Sequence, residues 1–168
     1  MRIRAATEQD CPAIIAIWNE VILKTDHSFN NIPVTEEALK AELALKAKTG
    51  QAFLLAEDSS AILGFATYGQ FRKSNGYRNT CEHTIHLAPD AQGKGIGRAL
   101  MTSIEHHAKQ ARVHSMIAGI SHVNDRAVAF HASLGYTEIA RLPEVGTKFG
   151  RWYDLILMQK ILSSSLPE

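Results

Sequence analysis

Gln92-Gly93-Lys94-Gly95-Ile96-Gly97-Arg98 carries the sharpest chemical signal in the chain. Glycine has no Cβ, so three at alternate positions let several backbone N–H groups turn toward one point, a geometry that holds phosphate. Lys94 and Arg98 add positive charge, and a helix opening here contributes about half a unit charge at its N-terminus. A pyrophosphate is the natural guest. The same glycines would also serve a tight turn with close helix–sheet packing, so spacing alone leaves both readings open. A dinucleotide fingerprint does not fit, because Arg98 stands where its last glycine belongs. A Walker-type loop fails as well: Gly93-Lys94 is followed by Gly95 rather than Ser or Thr.

A second set of residues suits a carboxylate. Arg72, Lys73 and Arg78 crowd one short stretch, with Phe71 and Tyr77 as aromatic walls, and a guanidinium fork binds carboxylate bidentately. A merely solvated loop would have the same composition. Metal chemistry finds little support. His83 and His86 fall on opposite faces of a strand, and His106 and His107 diverge by about 100° around a helix. Cys81 adjoins no base on its own strand face and reads as a small buried residue rather than a nucleophile.

The elements that must position these groups follow from periodicity. Residues 2–6 form a strand, and Thr7 with Asp10 starts a helix in which Ile14, Ile17, Trp18, Val21 and Ile22 recur at helical spacing to about Lys24. Thr35 caps a second helix, Glu36 to about Lys48, which Gly50 stops. Ala52–Glu57 and Ile62–Phe71 read as an antiparallel hairpin around Asp58-Ser59-Ser60, and Arg72–Asn79 is a loop long enough to bind something. Thr80–Leu87 alternates as a strand and is followed by the glycine loop and a helix from about Gly97 to Gln110. Ser115–Ile120 is a strand, Asp125–Leu134 a helix ended by Gly135, and Tyr136–Leu142 and Trp152–Lys160 are the last two strands. Residues 1–162 make one domain, and the tail from Ser163 to residue 168 is expected to fray.

Composition excludes several classes. The 168 residues carry 18 Lys and Arg against 17 acids, which leaves no basic field for nucleic acid. No apolar run approaches the ~20 residues of a membrane helix, the N-terminal segment lacks a signal-peptide core, and Cys11 and Cys81 are unpaired in sequence. The expectation is a cytoplasmic protein with free thiols, no metal, no nucleic-acid partner and no membrane association.

Two ordered motifs carry a family resemblance. Gln92-x-x-Gly95-x-Gly97 resembles the acyl-CoA pyrophosphate signature of the GNAT N-acetyltransferases. Asn124-x-x-Ala127-x-x-Phe130-His131-x-x-Leu134-Gly135-Tyr136 resembles that superfamily's second segment. Phe71-Arg72, Gly76-Tyr77-Arg78, Thr80, Glu82-His83 and the stretch from Arg141 through Gly146, Lys148 and Trp152 to Asp154 are similar to its phosphinothricin and methionine sulfoximine acetyltransferase branch, so the resemblance spans nearly the whole chain.

The resemblance implies an α/β (α+β) fold: a mixed, mostly antiparallel central sheet, helices on both faces, and a splayed strand pair, Thr80–Leu87 and Ser115–Ile120, that holds acyl-CoA. It implies acetyl-CoA as cosubstrate. Ile85, His86 and Leu87 would contact pantetheine and thioester, Gln92, Gly93, Lys94, Gly95, Ile96, Gly97 and Arg98 the pyrophosphate, and Asn124 the pantetheine or adenosine side. Glu82, an acid in an otherwise apolar or neutral strand, would be the general base, since burial raises a carboxyl pKa toward a useful value. His131 stands where many superfamily members carry a Tyr, as it does in the phosphinothricin-type branch, and acid, second base and orienting group remain open for it. Phe71, Arg72, Lys73, Tyr77 and Arg78 would form the acceptor pocket for a small amino-acid-like amine. Ser74 and Asn75 depart from the branch, which puts side-chain preference in doubt. Lys148, Arg151 and Asp154 would complete the pocket or a dimer contact, Phe29 and Asn31 would cover the site, and a homodimer is implied by analogy. The alternatives are another amine acceptor, whether a protein N-terminus, a polyamine or an aminoglycoside, or an acyl-CoA sensor without turnover.

Overall fold

In a computed structural model of the chain, residues 1–59 and 61–163 are described. The rest of the expected frayed tail, residues 164–168, lies outside them. Among the described residues there are seven strands and four α-helices, in the order β1 (Arg2–Ala5), α1 (Cys11–Lys24), α2 (Glu36–Thr49), β2 (Phe53–Asp58), β3 (Ala61–Gln70), β4 (Thr80–Leu87), α3 (Ile96–Gln110), β5 (Ser115–Ser121), α4 (Asp125–Ser133), β6 (Thr137–Lys148) and β7 (Arg151–Ile161). They form one sheet in the order β1-β2-β3-β4-β5-β7-β6, in which only the β4–β5 pair is parallel. The mixed, mostly antiparallel sheet read from the sequence is the one observed.

Helices cover both faces because each strand alternates its side chains. On one face, Ile14, Ile17 and Cys11 of α1 and Leu39 of α2 bury themselves against Phe53, Leu55 and Phe65, with the Trp18 ring tilted against Phe65 at 5.0 Å. On the other, Leu100, Met101, Ile104 and Ala108 of α3 pack on Ala56, Ala66, Cys81, Met116 and Ala118, and Val128 and Phe130 of α4 flank that core. The N-terminal turn differs in detail from the expected helix start. Thr7 opens a short 3-10 turn, Glu8–Asp10, before α1. Asp10 accepts from the Thr7 amide at 2.8 Å and holds the Arg4 guanidinium through two 2.8 Å hydrogen bonds.

Two strand boundaries correct the sequence reading. β6 does not end at Leu142 but runs on to Lys148, because a bulge between Leu142 and Gly146 absorbs Pro143 and Glu144, the latter at φ 52°. An edge strand tolerates proline there, since no neighbouring strand needs its missing N–H. β7 begins at Arg151, one residue earlier than expected, after a two-residue turn in which Phe149 (φ 49°) and Gly150 (φ 72°) are both left-handed. That is the hairpin geometry whose twist matches the flanking strands.

Candidate active site

The site originates in a failure of strand pairing. β4 pairs with β3 along its length, from Cys81 to Leu87, whereas it pairs with β5 only at Thr80–Ser115, Cys81–Met116 and Glu82–Ile117. Beyond Glu82 the two parallel strands part, and the facing edges of residues 83–87 and 118–121 have no partner strand. Unpaired backbone N–H and C=O groups at such an edge are obligatory hydrogen-bonding groups that a ligand can satisfy. A cleft of about 900 Å³ opens from this point.

The glycine loop forms one end of the cleft, and its three glycines are needed for two different reasons. Gly93 and Gly95 adopt φ of 76° and 78°, with open space where a Cβ would sit, so backbone conformation selects them. Gly97 instead lies where a Cβ would come 3.2 Å from the Phe130 ring, so packing of α3 against α4 selects it. Gly95 is the N-cap of α3, whose first-turn amides have no intrahelical acceptor and point toward the cleft end. Two cations flank them. Arg98 donates to Ser133 Oγ at 2.9 Å, and Arg126 Nη1 donates to Gln92 Oε1 at 2.8 Å, tying the loop to α4. Asn124 caps α4 by accepting from the Ala127 amide at 3.1 Å and lines the same end.

Glu82 stands where the strands begin to part. Its carboxylate lies directly against the Cα of Gly119 on β5: a Cβ built at 119 would come 2.7 Å from Glu82 Oε1. The side chain stays accessible from the cleft, and the surrounding protein pushes its carboxyl above the ordinary carboxylate range by desolvation.

His131 reaches the cleft from α4 on the opposite face of β4, packed on His83 with ring centroids 5.0 Å apart. Its ring is 4% exposed, and burial lowers its pKa. Nδ1 lies 2.7 Å from the Ala127 carbonyl. A carbonyl only accepts, so Nδ1 carries the proton and Nε2, which has no protein partner, presents a lone pair.

Of the residues the sequence singled out, the cleft brings together Glu82, Ile85, His86, Leu87, Gln92, Gly93, Gly95, Gly97, Arg98, Asn124 and His131. His86 contributes its strand edge, while its ring packs against Trp18 and Phe65. Lys94 is exposed beside the loop, and the Ile96 side chain is buried beneath it; neither lines the cleft. Phe71, Arg72, Lys73, Tyr77 and Arg78 do not line it either. They belong to the β3–β4 connection, which joins the end of β4 where β5 is still paired. There the Gln70 amide nitrogen donates to the Arg72 and Ser74 carbonyls, Arg72 lies 5.2 Å over the Phe71 ring, and Phe71 and Tyr77 are 6.3 Å apart.

The wall opposite the sheet comes from the segment after α1. His27, Ser28, Phe29 and Asn30 line the cleft beside Trp18 and Val21. Lys148 holds this segment rather than any ligand. The side chain is 4% exposed, and its ammonium donates to the carbonyls of Ile22, Ser28 and Asn30 at 2.5, 2.7 and 2.6 Å. Phe29 packs flat on Gly146, where a Cβ would come 2.3 Å from the ring. Asp154, likewise, pairs with Arg141 at 2.8 Å and accepts from the Glu144 amide, which fixes the β6 bulge. Sequence reasoning missed Gly119 and Arg126. A glycine inside the strand-like run Ser115–Ser121 was the available signal for the first, since an interior strand glycine marks a close approach. Nothing local marked the second.

A splayed parallel strand pair, a glycine cradle on a helix N-terminus and an acid at the fork are the features that the resemblance to acyl-CoA-dependent transferases implies. Comparison with known proteins agrees. Residues 3–157 match the family described as Acetyltransferase (GNAT) domain. The chain is 38% identical to the L-amino acid N-acyltransferase MnaT of Escherichia coli K12, over 95% of this chain and 92% of that one. It is also 38% identical to the L-methionine sulfoximine/L-methionine sulfone acetyltransferase of Salmonella typhimurium, over 95% and 93%. Among solved structures, a Salmonella typhimurium acetyltransferase with its cofactor acetyl-CoA superposes with a TM-score of 0.96 at 36% identity, covering 100% of this chain and 97% of that one. A Brucella melitensis ribosomal-protein-alanine N-acetyltransferase superposes with a TM-score of 0.93 at 40% identity, covering 96% and 99%. The chain belongs to the GNAT family and is an N-acetyltransferase.

Proposed function

We propose that the protein transfers the acetyl group of acetyl-CoA to the α-amino group of a small amino-acid-like acceptor of the phosphinothricin, methionine sulfoximine or methionine sulfone type, by direct attack. The observation that carries this reading is the Glu82 carboxylate seated against Gly119 at the point where β4 and β5 part. The residues fit acetyl-CoA: the amides following Gly93 and Gly95, with Arg98 and Arg126, would hold the pyrophosphate, and the free edge of residues 83–87 would pair with the pantetheine amides. When bound, acetyl-CoA supplies an activated acyl carbon and a sulfur leaving group.

The acceptor ammonium must first lose a proton. Glu82, held above its ordinary pKa, takes that proton directly or through one water and returns it to solvent through the open cleft. As the C–N bond forms and the C–S bond breaks, the nitrogen loses a second proton, which His131 Nε2 accepts. The departing sulfur carries the electron pair and is protonated from solvent, so one proton is released per turnover. His131 is therefore read as an acceptor rather than an acid, because its only N–H is engaged by Ala127. The segment His27–Asn30 would wall the acceptor.

A second acceptor class, a protein N-terminus, is favoured by the likeness to the ribosomal-protein-alanine N-acetyltransferase. Thiol release from acetyl-CoA, measured with L-methionine sulfoximine, L-methionine sulfone, phosphinothricin, spermidine and an Ala-initiated peptide, separates the two. The proposal expects release with the first three; release only with the peptide or the polyamine overturns the acceptor assignment.

A further inference from the structure

On the α3 side of the cleft, His131 Nε2 and both ring nitrogens of His83 are buried with no partner among the described residues, and the Tyr136 hydroxyl beside them is turned toward the buried Glu105 carboxylate. They form one cluster. His83 stacks on His131 with 22° between the ring planes, and Tyr136 meets both rings edge-on at 5.7 and 5.3 Å. Glu105 Oε2 holds Lys160 Nζ at 2.5 Å, and that ammonium lies 5.7 Å over the Tyr136 ring. The Glu105 and Lys160 side chains are 14% and 27% exposed, so the cluster reaches the surface between α3 and β7. An orphaned buried polar group carries an unrecovered desolvation cost. Such groups are sustainable in a marginally stable domain when ordered internal water completes their hydrogen bonds.

We infer that Tyr136 and Glu105, joined to His131 Nε2 by internal water, form a proton path from that nitrogen to the Glu105–Lys160 pair at the α3–β7 surface. The inference rests on the reading of His131 as the acceptor of the second amine proton. Glu82 is exposed to the cleft, whereas His131 is 4% exposed and its proton needs another exit. The proton leaves Nε2 for water, is relayed through the Tyr136 hydroxyl, which gives up one proton as it takes another, and reaches Glu105 Oε1 and then solvent. No bond other than O–H and N–H changes. His83 from β4 and Tyr136 ahead of β6 pack against the His131 ring, Glu105 from α3 acts on it electrostatically, Lys160 from β7 lies over the Tyr136 ring, and Glu82 is on the far face of β4. Burial pushes His83 down to about 3, so it stays neutral and forms a wall rather than a carrier.

The test compares Tyr136→Phe, Glu105→Gln and His131→Asn for kcat, KM for acetyl-CoA, pH profile, melting temperature and rescue by added imidazole. For the first two variants the expectation is an about 10-fold or greater fall in kcat, KM for acetyl-CoA unchanged, and partial recovery of kcat with imidazole. Wild-type kcat and pH profile in both variants overturn the path, and so does a fall in kcat that imidazole does not relieve, which marks a structural role. If either variant fails to fold, the other decides. If His131→Asn retains full kcat, the acceptor reading of His131 fails and takes the path with it. If His131→Asn is inactive while the other two are wild-type, the path alone fails.

Discussion

Replacing Gly119 by alanine tests how the base is positioned. The added Cβ would lie 2.7 Å from Glu82 Oε1, and ordinary contact begins near 3.4 Å, so the carboxylate must retreat by about 0.7 Å. The colliding atom is the end of a flexible side chain, and the next neighbour, Leu155 Cδ1, stands at an acceptable 3.5 Å. The cost therefore falls on the position of Glu82 and not on the fold. Gly119 is not left-handed, so alanine there reduces unfolded-chain entropy by a contribution of about 0.4–1 kcal/mol. Displacing a reacting group by up to about 1 Å costs roughly 10- to 100-fold in rate, or about 1.4–2.7 kcal/mol of transition-state stabilisation. Gly119→Ala should melt within a few degrees of wild type, bind acetyl-CoA with unchanged affinity by calorimetry, and lose about 10- to 100-fold in kcat by thiol release. The Glu82→Gln/Gly119→Ala double variant should be no slower than Glu82→Gln, because both act through one carboxylate. Wild-type turnover in Gly119→Ala, or additive losses in the double variant, would mean that Gly119 does not act by positioning Glu82.

Two stability predictions follow from buried charge. Lys148→Met removes the donor shared by the Ile22, Ser28 and Asn30 carbonyls and should cost about 2–5 kcal/mol, read as a lowered denaturant midpoint, together with a raised KM for the acceptor but not for acetyl-CoA. An acceptor KM equal to wild type would separate the His27–Asn30 wall from the acceptor. The Asp10 carboxyl is lowered from 3.8 to about 2, chiefly by its hydrogen bonds to Arg4. That pairing adds about 2 kcal/mol of stability, fully present above pH 4 and lost as pH falls toward 2. Asp10→Asn should show the deficit at pH 7 and none near pH 2, and an equal deficit at both would contradict the linkage.

How much of this was legible in the sequence depends on whether the signal was local. The order of elements, the glycine cradle, the alternation of β4 and the position of Glu82 could be read because turn chemistry and period-two patterning are written into neighbouring residues. The far half of β6 was not legible: Leu142-Pro-Glu-Val-Gly146 has the composition of a turn, and it stays in the sheet only because the bulge and the Asp154–Arg141 pair hold it there. Lys148, expected to complete the pocket or a dimer contact, is instead enclosed by carbonyls some 120 positions earlier, which nothing local shows. The cations of the β3–β4 connection suit a carboxylate by type, yet the connection leaves from the paired end of β4, and only the tertiary fork reveals that the cleft opens from the other end. The proton-accepting form of His131 likewise depended on a single hydrogen bond to Ala127, invisible without coordinates.

Glu82 carries the proposed chemistry, and the pH profile of kcat/KM in wild type and Glu82→Gln, with acetyl-CoA binding measured in parallel, tests its role. Because desolvation raises this carboxyl, wild-type activity should fall with decreasing pH along a limb lying above the ordinary carboxylate range. Glu82→Gln should bind acetyl-CoA as wild type does, lose about 100-fold or more in kcat/KM, and lack that limb. Undiminished turnover in Glu82→Gln with the limb intact would contradict the assignment of the base and the mechanism built on it.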